Sequence, residues 1–280
     1  MHILIAWWSG FTWTALIQKL LDKNITVTLL TRSIKKVVQP LWSVQYLERD
    51  WLTTQQVSTV THAINLSWHP IDDLPWTSRT KQRIYDSRIE TTRKLISMLP
   101  SSTHTLLNAS AIGYYPYDDT KIFDEHVIVD TDTRQWFLQH VVHKREQEAT
   151  KFHGRLVLLR SWIILWPGKF EKAMDTQARL LWGIILGDWS QYLSTIKLED
   201  RVRCVVWLIH DESFTGPINL VTQTLQQKTY ITQKAATFKK KPWIRIPQWM
   251  ITMLAWSASS FLLWSQRVKS VYTKKYLESK

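Results

Sequence analysis

The chain has 280 residues and one cysteine, Cys204. A lone cysteine excludes an intramolecular disulfide framework and a cysteine-rich metal site. A reducing, cytoplasmic setting is the expectation that follows. Glycine is also scarce, at 7 residues, against an ordinary share of about 7%. No basic leader precedes the apolar start MHILIAWW, so no secretory signal is expected. No stretch reads as a membrane span. Ile246 to Gln266 carries no charge, but Pro247 and Gln248 open it and Ser257, Ser259 and Ser260 interrupt it. A pair of short buried helices is expected there. The histidines lack metal-ligand spacing: His140 and His143 lie three apart without a third ligand nearby. No phosphate-binding P-loop and no nucleophile–histidine–acid arrangement is present.

What is abundant is tryptophan, with 17 residues, and positive charge, with a formal net of +13. The charge is spread along the chain. Its densest groups are Lys239-Lys240-Lys241 and the tail from Arg267 to Lys280, without the interleaved aromatics of a base-stacking surface. No nucleic-acid partner and no membrane span are expected; a small-molecule substrate is. The apolar share of 45% is ample for a core.

The first thirty residues alternate between two periods. His2 to Ala6 is a short apolar run, as in a buried parallel strand. Ala15 to Lys23 places Leu16, Leu20 and Leu21 on one helical face, and Ile25 to Leu30 is a second β-branched run. This is a βαβ unit. Further strands are predicted at Val44–Leu47, His62–Leu66, Thr105–Ala109, Leu156–Arg160 and Pro217–Val221. Helices are predicted at Thr80–Leu99, Phe137–Thr150, Phe170–Leu181 and Leu198–His210. Gly183–Leu193 reads as turns, and the chain beyond Val221 as helical. The fold class is α/β, with a doubly wound, Rossmann-type parallel sheet and a smaller mixed C-terminal domain. The boundaries expected are 1–167 and 168–280, with 198–221 returning to the sheet.

The first strand-to-helix turn reads Ala6-Trp7-Trp8-Ser9-Gly10-Phe11-Thr12-Trp13. A dinucleotide turn wants three glycines: for the turn, for close approach of backbone N–H groups to the pyrophosphate, and for helix–strand packing. Only Gly10 is present, and Trp7 and Trp13 stand at the other two places. Indoles there oppose positive φ and fill the pyrophosphate site.

The opening MHILIAWWSGFTWTALIQKLLDKNITVTLLTR resembles an atypical extended short-chain dehydrogenase/reductase. The subgroup is the NAD(P)-dependent epimerase family with a C-terminal domain of unknown function, whose turn reads TGGTGFIG. INLSWHPI, KQRIYDSRIETTR, ASAIGYY, LLRSWIILWPG, GDWSQYLSTIKLEDRV and SQRVKSVYTKKYLES resemble further segments of that family. The resemblance spans nearly the whole chain and implies an oxidoreductase or nucleotide-sugar-epimerase-like enzyme. It also implies a continuation past Lys280.

Trp7, Trp8, Trp13, Trp68, Trp162, Trp166, Trp182 and Trp189 all stand where the family, or the local turn, has glycine. Reading those eight as glycine brings both residue types near ordinary usage. UGA codons meaning glycine but translated as tryptophan would produce this pattern; the alternative is a chain with genuine tryptophans, a damaged cofactor turn and low stability.

The site residues expected are as follows. Trp7, Gly10, Phe11 and Trp13 form the cofactor turn. Arg32 and Ser33 end the second strand, where an arginine accommodates a 2′-phosphate, so NADP is expected rather than NAD; the alternative is a solvated loop arginine. Asn65, Leu66 and Ser67 end a strand at the crevice, where the resemblance implies cofactor contacts. Ser110 matches the superfamily's catalytic serine, with Tyr114 as a second catalytic candidate. Tyr115, Arg88 and Gln191 are substrate-contact candidates; Arg88 could equally be a helix-pairing arginine, and Gln191 a turn residue. The superfamily's Tyr-x-x-x-Lys acid/base pair is absent from its helix, where Val141 and Arg145 stand. The match Tyr117 to Lys121 falls in a Pro/Asp-rich loop and reads as coincidence. A non-catalytic NADP-binding sensor or interaction protein is therefore an alternative to an enzyme.

Overall fold

A computed structural model describes residues 1–6, 14–31, 33–36, 43–48, 54–71, 75–130, 136–187, 190–255 and 265–278. Strand β1 (His2–Ala6) leads to helix α1 (Thr14–Leu21) and β2 (Thr26–Thr31). Next come β3 (Gln45–Glu48), α2 (Thr54–Val57), β4 (His62–Asn65), α3 (Ser78–Asp86), α4 (Ile89–Met98) and β5 (Thr105–Ala111). The chain continues through β6 (Asp118–Phe123), α5 (Phe137–Ala149), β7 (Arg155–Ser161) and β8 (Ile163–Leu165). Then follow α6 (Lys169–Leu181), β9 (Ile184–Leu186), β10 (Tyr192–Lys197), α7 (Leu198–His210), β11 (Gly216–Asn219) and β12 (Gln223–Gln226). The last are α8 (Gln227–Thr237), β13 (Ile244–Ile246), α9 (Gln248–Ala255), β14 (Gln266–Val268) and a short helix, Thr273–Glu278.

The central sheet has the order β11-β7-β5-β4-β1-β2-β3, and every pairing in it is parallel. This is the doubly wound α/β architecture. Strand order reverses beside β1, and at such a switch point the crossovers leave a crevice at the carboxyl ends of the strands. β1 is buried from Ile3 to Ala6 because helices cover both faces of the sheet. One face packs α1 and α7: Leu16 and Leu20 share a core with Val202, Val205 and Leu208. Burying each such leucine contributes about 1.5–3 kcal/mol. On another core, Leu4, Leu30 and Ala63 meet Leu95 of α4. Helix α1 is closed by Asn24, whose φ of 57° places it in the left-handed region that asparagine tolerates.

Three expectations need correction. The helix Thr80–Leu99 is two helices. Ser87 accepts a hydrogen bond from the His69 amide at 2.9 Å, and Arg88 folds back onto the Ile84 carbonyl at 3.2 Å, so the axis breaks between them. The Gly183–Leu193 turns contain β9 and the start of β10. The helical reading beyond Val221 also fails in part. β12 pairs antiparallel with β10, β13 pairs with β9, and β14 pairs with β6. Such short strands lack a period of their own and are set by their partners. At 246–266 one helix, α9, and the start of β14 are seen, and the residues between lie outside the described ones. No helix among the described residues is long and apolar enough to cross a membrane.

Candidate functional site

Two voids lie at the carboxyl ends of the strands. A groove of about 620 Å³ runs past Thr31 of β2, Ala6 of β1 and Ser67 beyond β4, against the outer faces of α3 and α4. A second cavity, of about 230 Å³, lies beyond β5 and is walled by Ser110, Arg88, Arg145 and Arg201. Trp68 lines both and stands between them.

A buried amide network sets the strand ends beneath the groove. The Asn65 side chain is fully buried and donates to Asn108 Oδ1 at 2.7 Å and Thr92 Oγ1 at 2.8 Å. Its own carbonyl accepts from the Ser67 amide at 3.2 Å. Asn65 therefore positions the crevice from below. Leu66 is buried, donates its amide to the Ala6 carbonyl at 2.9 Å and reaches the cavity wall. Ser67 is buried, with its hydroxyl directed at the Ala6 carbonyl at 3.4 Å. Ser33 lies just past β2, its amide held by Thr31 Oγ1 at 3.4 Å.

Ser110 lies near the end of β5 on the cavity wall, and its hydroxyl donates to Glu146 Oε1 on α5. Glu146 is gripped in turn by Arg160 of β7, Nε to Oε1 at 2.9 Å and Nη2 to Oε2 at 2.8 Å. Burial acts to lower the Arg160 pKa, but the bonds and charge of Glu146 outweigh it and raise the value. The guanidinium also stacks on the Tyr114 ring, 3.4 Å from its centroid, and donates to the Tyr115 hydroxyl at 3.1 Å. Glu146 and Arg160 were missed because they sit on different elements, α5 and β7, whose packing the sequence does not give; the signal present was a charged pair, Arg145-Glu146, on a largely buried helix.

The two tyrosines need correction. Tyr115 is 0% exposed and is not part of the cavity wall. Its hydroxyl has two acceptors within reach of its one hydrogen, the Asp124 carbonyl at 2.9 Å and Asn219 Oδ1 at 3.0 Å, and burial pushes its pKa up to about 12. Tyr114 packs edge-on against His143 and beneath Arg160, also away from the wall. Both serve the Glu146–Arg160 pair rather than contacting the cavity. Gln191 is buried beside β10 and is likewise not on the wall; its backbone carbonyl accepts from the Gln227 amide at 2.7 Å. Tyr117 and Lys121 are exposed at β6 and take no part in the wall. Trp7, Trp8, Gly10, Phe11, Trp13, Arg32 and Trp189 lie outside the described residues.

Arg88 does line the cavity, with Nη1 donating to the carbonyls of His69 at 3.1 Å and Ile84 at 3.2 Å. Burial lowers its pKa to about 10. Arg145 is 5% exposed, and burial, reinforced by the Arg88 charge, lowers its pKa to about 9. The cavity is thus cationic on one side and apolar on the other. Trp162 and Trp166 complete its wall. The Trp166 indole lies over Gly168 so closely that no β-carbon would fit there. Trp182 caps α6 with φ of 62°, a left-handed conformation that favours glycine.

No protein-family model matches the chain. An epimerase family protein of Staphylococcus haemolyticus is 28% identical over 282 residues, 95% of this chain and 90% of the relative. An epimerase family protein of Mycobacterium bovis is 30% identical over 224 residues, 78% of this chain and 72% of the relative. Among solved structures, a human epimerase family protein with NADPH superposes with a TM-score of 0.83 at 23% identity, covering 100% of this chain and 94% of that one. The UDP-glucuronic acid 4-epimerase of Bacillus cereus with NAD gives 0.68 at 14%, covering 88% and 87%.

Proposed function

The chain belongs to the epimerase family, and on that premise we propose that it is an NADP-dependent oxidoreductase or nucleotide-sugar-epimerase-like enzyme acting on a small molecule. The observation that carries this is the groove at the reversal of strand order, which leads from the end of β2 across β1 and β4 to a cavity holding Ser110. A dinucleotide bound at a switch point follows that course. Thr31 and Ser33, with Arg32 between them, would hold the adenosine end, and Leu66 and Ser67 the middle. Arg32 accounts for the choice of NADP over NAD. Bound NADP would supply a hydride acceptor or donor next to the cavity. Ser110 has its hydrogen committed to Glu146, so its oxygen is left to accept from a substrate hydroxyl.

Supporting the reading of eight tryptophans as misdecoded glycines, Trp182 occupies a left-handed cap, and Trp68, Trp162 and Trp166 crowd the voids. With glycine at 68 the groove and cavity would join. The codons at these positions decide it, and UGG throughout would end the idea.

Fluorescence titration of NADPH, on this chain and on one carrying glycine at the eight positions, tests the cofactor. Turnover against a panel of carbonyl compounds tests the enzyme. A second reading, a non-catalytic NADP-binding sensor or interaction protein, is favoured by Val141 and Arg145 standing at the places of the acid/base pair. Tight NADPH binding without oxidation across the panel supports it.

A further inference from the structure

Two arginines, the half-buried Arg155 and the buried Arg160, show what a satisfied guanidinium looks like. Arg155 donates to the carbonyls of Asp211, Phe214 and Leu208 at 2.8, 2.9 and 2.6 Å. Arg160 grips Glu146 through its Nε–Nη2 edge. Arg145 differs. The same edge, Nε and Nη2, is buried with no hydrogen-bond partner among the described residues. No ion pair joins Arg145 or Arg88 to a carboxylate among the described residues, because the adjacent Glu146 is taken by Arg160. The two guanidiniums also repel each other across the cavity wall.

A desolvated cation without a counterion is costly, on the order of several kcal/mol per ion after relaxation. Arg160 offsets that cost with the Glu146 carboxylate, and the half-buried Arg155 places its donors on three backbone carbonyls. Arg145 lines the cavity, and its buried Nε–Nη2 edge has the geometry to match a carboxylate or phosphate in two parallel bonds. We propose that the 230 Å³ cavity is an anion subsite, in which a substrate carboxylate or phosphate binds Arg145, with Arg88 beside it and Ser110 within the same wall. Assigning the anion to the substrate rests on reading the groove as the NADP site; the anion site itself stands without it. The neighbouring apolar wall, Leu138, Val141 and Val142, would take the organic part of a compact molecule.

Binding of malonate, as a carboxylate probe, and of inorganic phosphate is measured by isothermal titration calorimetry on the full chain and on the chain carrying glycine at the eight positions. Saturable binding is expected, weakened at least tenfold by Arg145→Met and partly restored by Arg145→Lys. Which probe binds tighter names the anion class. The surface variant Arg93→Ala should bind as the parent does, and circular dichroism confirms that each variant is folded. If Arg145→Met fails to fold, Arg145→Gln replaces it. Equal binding by folded variants lacking the Arg145 charge overturns the site, as does absence of saturation with both probes. NADPH is then added. Additive binding keeps the anion with the substrate, whereas competition assigns it to the cofactor and overturns the proposal. Anion binding without NADPH binding by the chain carrying glycine at the eight positions defeats the NADP reading while leaving the site.

Discussion

Glu146 of α5 and Arg160 of β7 form a doubly hydrogen-bonded ion pair, buried, with the Ser110 hydroxyl donating to the same carboxylate. The pair fixes the helix that carries Arg145 to the strand beside β5, so cavity geometry and fold stability share one contact. Arg160→Met should leave Glu146 charged and unpaired, at a cost of about 3–5 kcal/mol. Glu146→Leu with Arg160→Met should cost less than the single change. Urea unfolding of the set measures both; a double variant as unstable as the sum of the singles would contradict the coupling.

Ser110 separates chemistry from binding. In the enzyme reading, Ser110→Ala should lower turnover by about a hundredfold or more, while NADPH affinity stays within about twofold. Steady-state rates beside a cofactor titration check it. An unchanged rate removes Ser110 from the mechanism.

Trp182 should be replaceable with profit. Its left-handed φ of 62° costs about 1–2 kcal/mol. Lys240 sits 5.2 Å from the ring centroid, a contact worth about 0.5–1 kcal/mol at an exposed site. Strain wins, so Trp182→Gly should raise Tm, by about 2–4 °C per kcal/mol gained. Differential scanning calorimetry reads it, and a lowered Tm would refute the strain argument.

Acid should weaken the fold through His62. Burial, helped by the charges of His104 and Arg155 and opposed by Glu212, lowers its pKa to about 4 from 6.5. His2 and His143 are lowered too, each chiefly by burial. Below 6.5 the unfolded chain binds a proton that the native His62 refuses. This contribution is therefore whole above 6.5 and is lost as pH falls toward 4. Unfolding free energy measured between pH 7 and 4 should decline, and His62→Gln should flatten the slope. A slope unchanged in that variant would clear His62.

Cys204 should be silent in the native state. It is 0% exposed, and burial, with the nearby Asp200 charge, pushes its thiol up to about 12. A thiol reagent at pH 8 should react only on unfolding, so labelling kinetics report global opening.

The alternation of apolar runs and amphipathic faces was enough to place most central strands and the α/β class, because one buried sheet demands continuous β-branched strands and helices with one greasy side. Helix α7 was readable over its full span, Leu198–His210, from Val202, Val205 and Val206, of which Val202 and Val205 are buried in the core and Val206 packs against it. Ser110, Asn65 and Leu66 were singled out through the family resemblance, and the structure sets all three at strand ends beside the voids. Tyr115 misled, since closeness in sequence to Ser110 says nothing about which way a ring turns after a tight turn.

The fates of three charges needed the tertiary structure. Arg145 and Glu146 are neighbours in the chain, yet adjacent residues on a helix do not face each other. Glu146 points to β7 and finds Arg160, while Arg145 lines the cavity and finds no carboxylate among the described residues. Only the packing of α5 across the sheet decides which arginine is neutralised by the protein and which is left for something it binds.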